Sequence, residues 1–242
     1  VIRAGACALG LLLLGTGCAA HAKTDNTQAQ RDPFPHVFHV LRPSVVLFTM
    51  NVPSDDAKRK GQFDEAYGSG LIVASGPWGS QILTVEHVIH DARDLRATIG
   101  DRRKVKAHTI AADEKNDLAL VATDAPNLTV APLGTSRGLE AGLAIGVAGY
   151  PIPDAFEDEG LGTATSVFFG RISSVRHDAL ELDVPIIPGE SGGPVFDADD
   201  GAVIGLAESR FDEEKAIGFA IPIDDAKAFI AHVKGARVAQ AR

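Results

Sequence analysis

Cysteine is nearly missing from this sequence. The two present, Cys7 and Cys18, lie in the opening stretch, so the remainder has no pair for an internal disulfide and must draw its stability from a core. Aromatic residues make up only 6%, and none are interleaved with a basic patch. Positive charge is also in deficit: Lys and Arg number 23 against 32 Asp and Glu, a net charge of −9 that opposes a phosphate backbone and excludes nucleic acid as a partner. Arg102-Arg103-Lys104 reads as a solvated turn. The apolar stretch that follows Arg3 ends at Leu14, too short for a membrane span and flanked like a secretory leader.

What is present is apolar material, 45% of the chain, enough for a sizeable core. Valine, isoleucine, glycine and proline punctuate short runs, a pattern of many strands and tight turns. Residues 1–22 read as a signal peptide or lipoprotein leader with two competing fates. Leu14-Gly15-Thr16-Gly17-Cys18 resembles a lipobox, which would leave a lipidated Cys18 as a membrane tether. Ala20-His21-Ala22 is an A-x-A cleavage site, which would free the domain. Either way export to the periplasm or cell envelope is expected, with secretion as the alternative. Residues 23–35 form a polar tether, 36–234 one folded domain and 235–242 a tail.

Within that domain, strands are expected at Val45 to Phe48, Leu71 to Val73, Gln81 to Val85, Leu95 to Ile99, Val105 to Ile110 and Leu118 to Val121. Gly68-Ser69-Gly70 reads as a turn into the second of these. A second group covers Ala141 to Ala148, Thr165 to Val175, Ala179 to Val184, Val203 to Glu208 and Ile217 to Ile221. Two groups of strands suggest two barrels, about 36–132 and 139–223. Asp224 can cap a final helix, 224–234, with Ala226, Phe229, Ile230 and Val233 on one face and Gly235 as its terminator.

The strongest chemical signal is Gly189-Glu190-Ser191-Gly192-Gly193-Pro194. A serine on a glycine-rich turn can present its hydroxyl while backbone N–H groups converge on one point, and those of Gly189 and Ser191 are the expected oxyanion donors. A serine needs a base. His87 follows the apolar run Ile82-Leu83-Thr84-Val85, where a strand gives way to a short helical turn. His36, His39, His108, His177 and His232 lack this setting, and the His87/His90 pair lacks the glutamate placement of a zinc-protease helix, so no metal site is expected. The imidazole needs a carboxylate for its other nitrogen. Asp117, leading directly into Leu118-Ala119-Leu120-Val121, is the candidate, ahead of Asp113 and Asp124.

LTVEHVI around His87, DLALV from Asp117 and GESGGPV around Ser191 resemble the three signatures of trypsin-like serine peptidases in His, Asp, Ser order. GSGLIV, LGTSRGLEAG, ATSVFFGRIS, VIGLAES and IGFAIPI resemble the HtrA (Deg) group. The resemblance implies an all-β, chymotrypsin-like fold of two six-stranded antiparallel barrels with a C-terminal helix. It implies a serine endopeptidase acting on polypeptides of the envelope without metal or organic cofactor, His87, Asp117 and Ser191 being catalytic. It places Pro185 at the floor of the substrate pocket and Leu206 and Ala220 on its walls, a pocket for small or medium aliphatic side chains. Relatives often form trimers, which leaves an oligomer open here.

The sequence departs from the group in two respects. It runs only a short way past the terminal helix, so a protein lacking the peptide-binding PDZ module many relatives carry is expected. Glu190 stands where the group usually has asparagine, which predicts a cationic or hydrogen-bonding partner for it, Arg171 or Arg210. Glu86 is expected to face solvent. A catalytically silent binding or chaperone-like protein of the same fold is the alternative reading.

Overall fold

The computed structural model describes residues 34–100, 102–208 and 217–240, with side chains described for 36–235, so the leader, its Cys18 and Arg210 lie outside the described residues. Helix α1 (Phe34–Leu41) leads into the first strand group. This comprises β1 (Val45–Pro53), β2 (Phe63–Gly76), β3 (Gly79–Thr84), helix α2 (Glu86–Ile89), β4 (Arg93–Ile99), β5 (Arg103–Lys106), β6 (His108–Asp113) and β7 (Leu118–Thr123). The second holds β8 (Ala144–Gly149), helix α3 (Pro153–Asp158), β9 (Ser166–Val175), β10 (Leu180–Leu182), β11 (Pro194–Asp197), β12 (Val203–Glu208) and β13 (Gly218–Pro222). Helix α4 (Ile223–Gln240) closes the chain.

The second group is a closed antiparallel barrel in the order β10-β13-β12-β11-β8-β9. The first is a seven-stranded antiparallel sheet, β5-β4-β1-β2-β3-β7-β6. Its two edges, β5 and β6, are halves of one segment interrupted only at Ala107, whose N–H turns aside to the Leu95 carbonyl at 3.0 Å. One half pairs with β4 and the other with β7. The chain thus closes the ring through a corner, and counting the bent segment once leaves six strands.

Closure explains why the strands are apolar runs instead of alternating ones. β1 and β7 are buried along most of their length because the inner face fills the barrel and the outer face is covered. Phe48, Leu71, Ile72, Ile82, Leu83, Leu118 and Leu120 of the first strand group, from both faces of its strands, are buried in one cluster that continues through Phe196, Leu206 and Ile221 of the second. Ile145, Val147, Ile172, Leu180, Leu182 and Val195 fill the interior of the second.

Helix α4 docks Ala226, Ile230 and Val233 on the first cluster, with Phe229 partly buried beside them. Two expectations for it fail. Asp224 does not cap it: its carboxylate accepts from Thr135 Oγ1 (2.7 Å) and Ser136 N–H (3.2 Å), tying down the connection between the barrels. Those hydrogen bonds, Thr135 first, hold its pKa below the usual range. Gly235 does not end the helix, because nothing forces it into the left-handed conformation of a C-terminal cap, and a glycine inside a helix costs only about 1 kcal/mol.

Candidate active site

β3 ends at Thr84 and α2 begins at Glu86, so His87 sits at the first turn of a four-residue helix laid against β2. The contact is close because residue 68 is glycine: a Cβ there would fall 2.3 Å from Val88 Cγ1. Asp117 ends the turn between β6 and β7. That turn is shaped by Asp113, whose carboxylate accepts from the Asn116 main-chain N–H (3.2 Å) and side-chain Nδ2 (2.7 Å), contacts that lower its pKa, the side-chain bond foremost. Asp113 is therefore a brace for Asp117 and no rival to it.

Asp117 grips His87 twice. Oδ1 accepts the His87 main-chain N–H at 2.9 Å, and Oδ2 lies 2.7 Å from Nδ1. A carboxylate only accepts, so Nδ1 carries the proton and Nε2 presents a lone pair. Partial burial pulls the imidazole pKa down. The Asp117 hydrogen bond and charge, with smaller contributions from Glu208 and Glu86, more than offset this and raise it above the ordinary value.

Ser191 lies on the turn between β10 and β11 and is 7% exposed. Among the described residues no hydrogen bond joins its hydroxyl to His87; the two are brought together through a shared framework centred on Ser69. The Ser69 N–H donates to the Ser191 carbonyl (2.8 Å), and its Oγ donates to the Gly189 carbonyl (2.7 Å). The same Oγ accepts the Tyr150 N–H (3.0 Å), while the Ser69 carbonyl accepts from Thr84 Oγ1 (2.7 Å), three residues before His87. Gly192 completes the contact: it has φ +83°, and a Cβ would fall 2.2 Å from Thr84 Oγ1 and 2.3 Å from the Ser69 carbonyl.

Gly189, at φ +96°, follows Pro188 in a turn closed by Glu190 N–H to the Ile187 carbonyl at 2.9 Å. The Pro188 carbonyl is drawn off by the Ile152 N–H at 2.8 Å. Because C=O and N–H of a trans peptide point oppositely, this directs the Gly189 N–H away from Ile152. Neither it nor the Ser191 N–H donates to any described residue.

Comparison with known proteins matches the trypsin-like peptidase domain over residues 68–206. The chain belongs to this family. It is 34% identical over 168 residues to a probable periplasmic serine endoprotease DegP-like of Halomonas elongata, covering 65% of this chain and 33% of that protein. To the Pseudomonas fluorescens protein of the same name it is 34% identical over 176 residues, covering 71% and 35%. Among solved structures, an HtrA-type protease AlgW with tripeptide matches with a TM-score of 0.68 at 26% identity, covering 83% of this chain and 63% of that one. A serine endoprotease from Yersinia pestis matches with a TM-score of 0.66 at 28% identity, covering 83% and 66%. The chain spans about a third of the length of these two curated relatives.

Against this trypsin-like framework several expectations change. Glu190 has the hydrogen-bonding partner expected of it, the Ile187 N–H at 2.8 Å from its fully buried carboxylate, but the partner is not Arg171, which donates to the Gly142 carbonyl. Glu86 does not face solvent: it is 9% exposed and Oε1 lies 2.8 Å from His90 Nδ1. Gly68-Ser69-Gly70 is no turn but the middle of β2, and nothing in the short GSG string announces that its serine links both barrels. Glu208, 3% exposed at the end of β12, also escaped the sequence reading, being one acid among many.

Leu206 and Ala220 are fully buried in different core clusters and Pro185 is exposed. A cavity of about 240 Å³ adjoins the site, lined by Lys115, Asp117, Asp178, Glu208, Ile221 and Asp225. A larger one of about 540 Å³ lies between β1, β2, β4 and α3, touching the site through Tyr150. Among the described residues Glu86, His90 and Glu114 are spaced for a metal, with ligand atoms within 4.8 Å of one another, but His90 and Glu86 already satisfy each other as a pair.

Proposed function

We propose that the chain is a serine endopeptidase in which Ser191 attacks a peptide carbonyl, His87 is the base and Asp117 orients it. The observation that carries this is the two-point grip of Asp117 on His87, with a serine turn held by Ser69 against the same strand end. Nε2 takes the Ser191 proton as the hydroxyl adds to the carbonyl carbon, and Asp117 steadies the imidazolium that forms. The Gly189 and Ser191 N–H groups, free of other acceptors among the described residues, receive the oxygen as it becomes negative. His87 then returns the proton to the leaving amine, and water releases the acyl group from Ser191 by the same steps in reverse order.

Polypeptides are the proposed substrates, in line with the endoprotease names of the relatives and the tripeptide that accompanies one structural neighbour. Periplasm or envelope is the proposed location, supported by those names and by the leader-like residues 1–22, with Cys18 as a lipid anchor or cleavage after Ala22. A small or medium aliphatic residue before the scissile bond is proposed because the position that the family resemblance makes the pocket floor carries Pro185 and no acid.

Digestion of an unfolded protein such as casein, with Ser191→Ala as control, tests the reading: cleavage that the variant abolishes supports it, and a folded protein that cuts nothing overturns it. One observation favours a silent binding protein of the same fold: Glu190 places a buried carboxyl without a cationic partner among the described residues beside the proposed oxyanion site. Binding of casein without cleavage would be its signature.

A further inference from the structure

Glu190 immediately precedes Ser191 and no part of it reaches solvent. Its side chain and its main chain close the same turn. Oε2 accepts the Ile187 N–H at 2.8 Å, and its own N–H donates to the Ile187 carbonyl at 2.9 Å. Its carbonyl in turn accepts the Gly193 N–H at 2.9 Å, so residues 187–193 hang on this one position. Oε1 has no hydrogen-bond partner among the described residues.

No described element packed around it supplies a counter-charge. The end of β8 lies against it, since a Cβ on Gly149 would fall 2.9 Å from the Glu190 Cα. The titratable residue that follows, Tyr150, is engaged with Thr165. On α3, Asp154 and Asp158 act on Tyr67, and on α2 His87 is paired with Asp117. Arg171, on β9, donates to Gly142. An ionised carboxyl at this place would be a bare charge in a dry interior, next to the point where a substrate oxygen becomes negative. Burial accordingly pushes its pKa up to about 7, against a smaller downward pull from the Ile187 N–H.

We propose that Glu190 is a positioning residue that works as a neutral carboxylic acid, holding the 187–190 turn, and with it the Gly189 and Ser191 N–H groups, only while it keeps its proton. This rests on the serine-peptidase reading above. The sign follows from burial: the stabilisation is complete below the unfolded carboxyl value of 4.5 and is lost as pH rises through about 7. His87 runs the other way, since it must be neutral to act and its pKa is raised. The two requirements bound activity from opposite sides of the pH scale, and Glu190→Gln, of equal size but unable to ionise, removes the upper bound.

The test compares wild type with Glu190→Gln, from about pH 5 to pH 9, by thermal unfolding and by the rate of labelling with a fluorophosphonate serine probe. The expected result is an unfolding midpoint that falls with pH relative to the variant, and a wild-type to variant labelling ratio that drops on the order of tenfold per pH unit above the carboxyl pKa. A ratio and a midpoint difference that stay flat with pH would overturn the proposal. Midpoints that diverge while neither protein labels at any pH would uphold the neutral lock and sink the peptidase reading instead. Should the variant fail to fold, carbon-13 NMR of the wild-type glutamate carboxyls decides: titration of Glu190 near 7 upholds the proposal and titration near 4.5 overturns it.

Discussion

His87 and Asp117 meet at the rim of the first barrel, with side chains 44% and 29% exposed, whereas Ser191 and Glu190 at the second are 7% and 0% exposed. The first pair is made of side chains that satisfy each other: both Asp117 oxygens are used, and its charge favours the imidazolium form of His87. The second is made of main-chain hydrogen bonds around glycines with φ near +90°, and its one ionisable group has no counter-charge among the described residues. The half proposed to move a proton is thus braced electrostatically and left partly exposed. The half proposed to receive a developing negative charge is braced by shape and buried. Substitutions at the first should change chemistry with little effect on folding, and those at the second should change both.

Asp117→Asn would break the first half most sharply. It keeps the size of the side chain but can present an amide N–H to Nδ1, favouring the wrong tautomer; kcat/KM is expected to fall by about 10⁴-fold while urea unfolding shifts little. Losing the carboxylate also removes the upward pull on the imidazole, so the acid limb of the residual activity moves to lower pH. Equal losses of activity and stability would contradict the comparison.

At the second half, Gly192→Ala forces a Cβ toward Thr84 Oγ1 and the Ser69 carbonyl at φ +83°. A cost of about 2–5 kcal/mol in urea unfolding is expected, with labelling lost alongside. Ser69→Ala leaves the Gly189 carbonyl and Tyr150 N–H without their partner, for about 1–3 kcal/mol and a slower labelling rate. If this variant labelled at the wild-type rate, Ser69 would be a structural link only. The smallest effect serves as the control. Arg176→Ala breaks a partly exposed ion pair with Glu181 that shares no hydrogen bond with His87, Asp117 or Ser191, and should cost about 0–1 kcal/mol with labelling unchanged.

The difference between the halves also explains what could be read from the sequence. His87, Asp117 and Ser191 each stand beside an apolar run whose strand the structure contains, and the first two meet as the reading required. Short motifs carry such residues because their neighbours in sequence set their geometry. What escaped depends on partners distant in sequence. Ser69 reaches Gly189 across 120 positions, and Asp224 leaves its own helix for Thr135. The corner at Ala107 is set by a hydrogen bond to Leu95, so an unbroken apolar-polar run gave no sign that one strand would serve two partners. For Glu190 the reading identified the problem, a carboxyl beside an oxyanion site, and expected a cationic or hydrogen-bonding partner; the structure supplies the hydrogen bond, from the Ile187 N–H and not from Arg171, and buries the acid so that its pKa rises.

The central claim is that Ser191 is a nucleophile activated by His87 and held beside two free N–H donors. It is tested most directly by treating the folded protein with a fluorophosphonate and locating the adduct by mass spectrometry. The account predicts a single phosphonyl group on Ser191, formed at a rate that drops in Asp117→Asn. A folded protein that stays unmodified at about pH 7, or one modified at another residue, would contradict it.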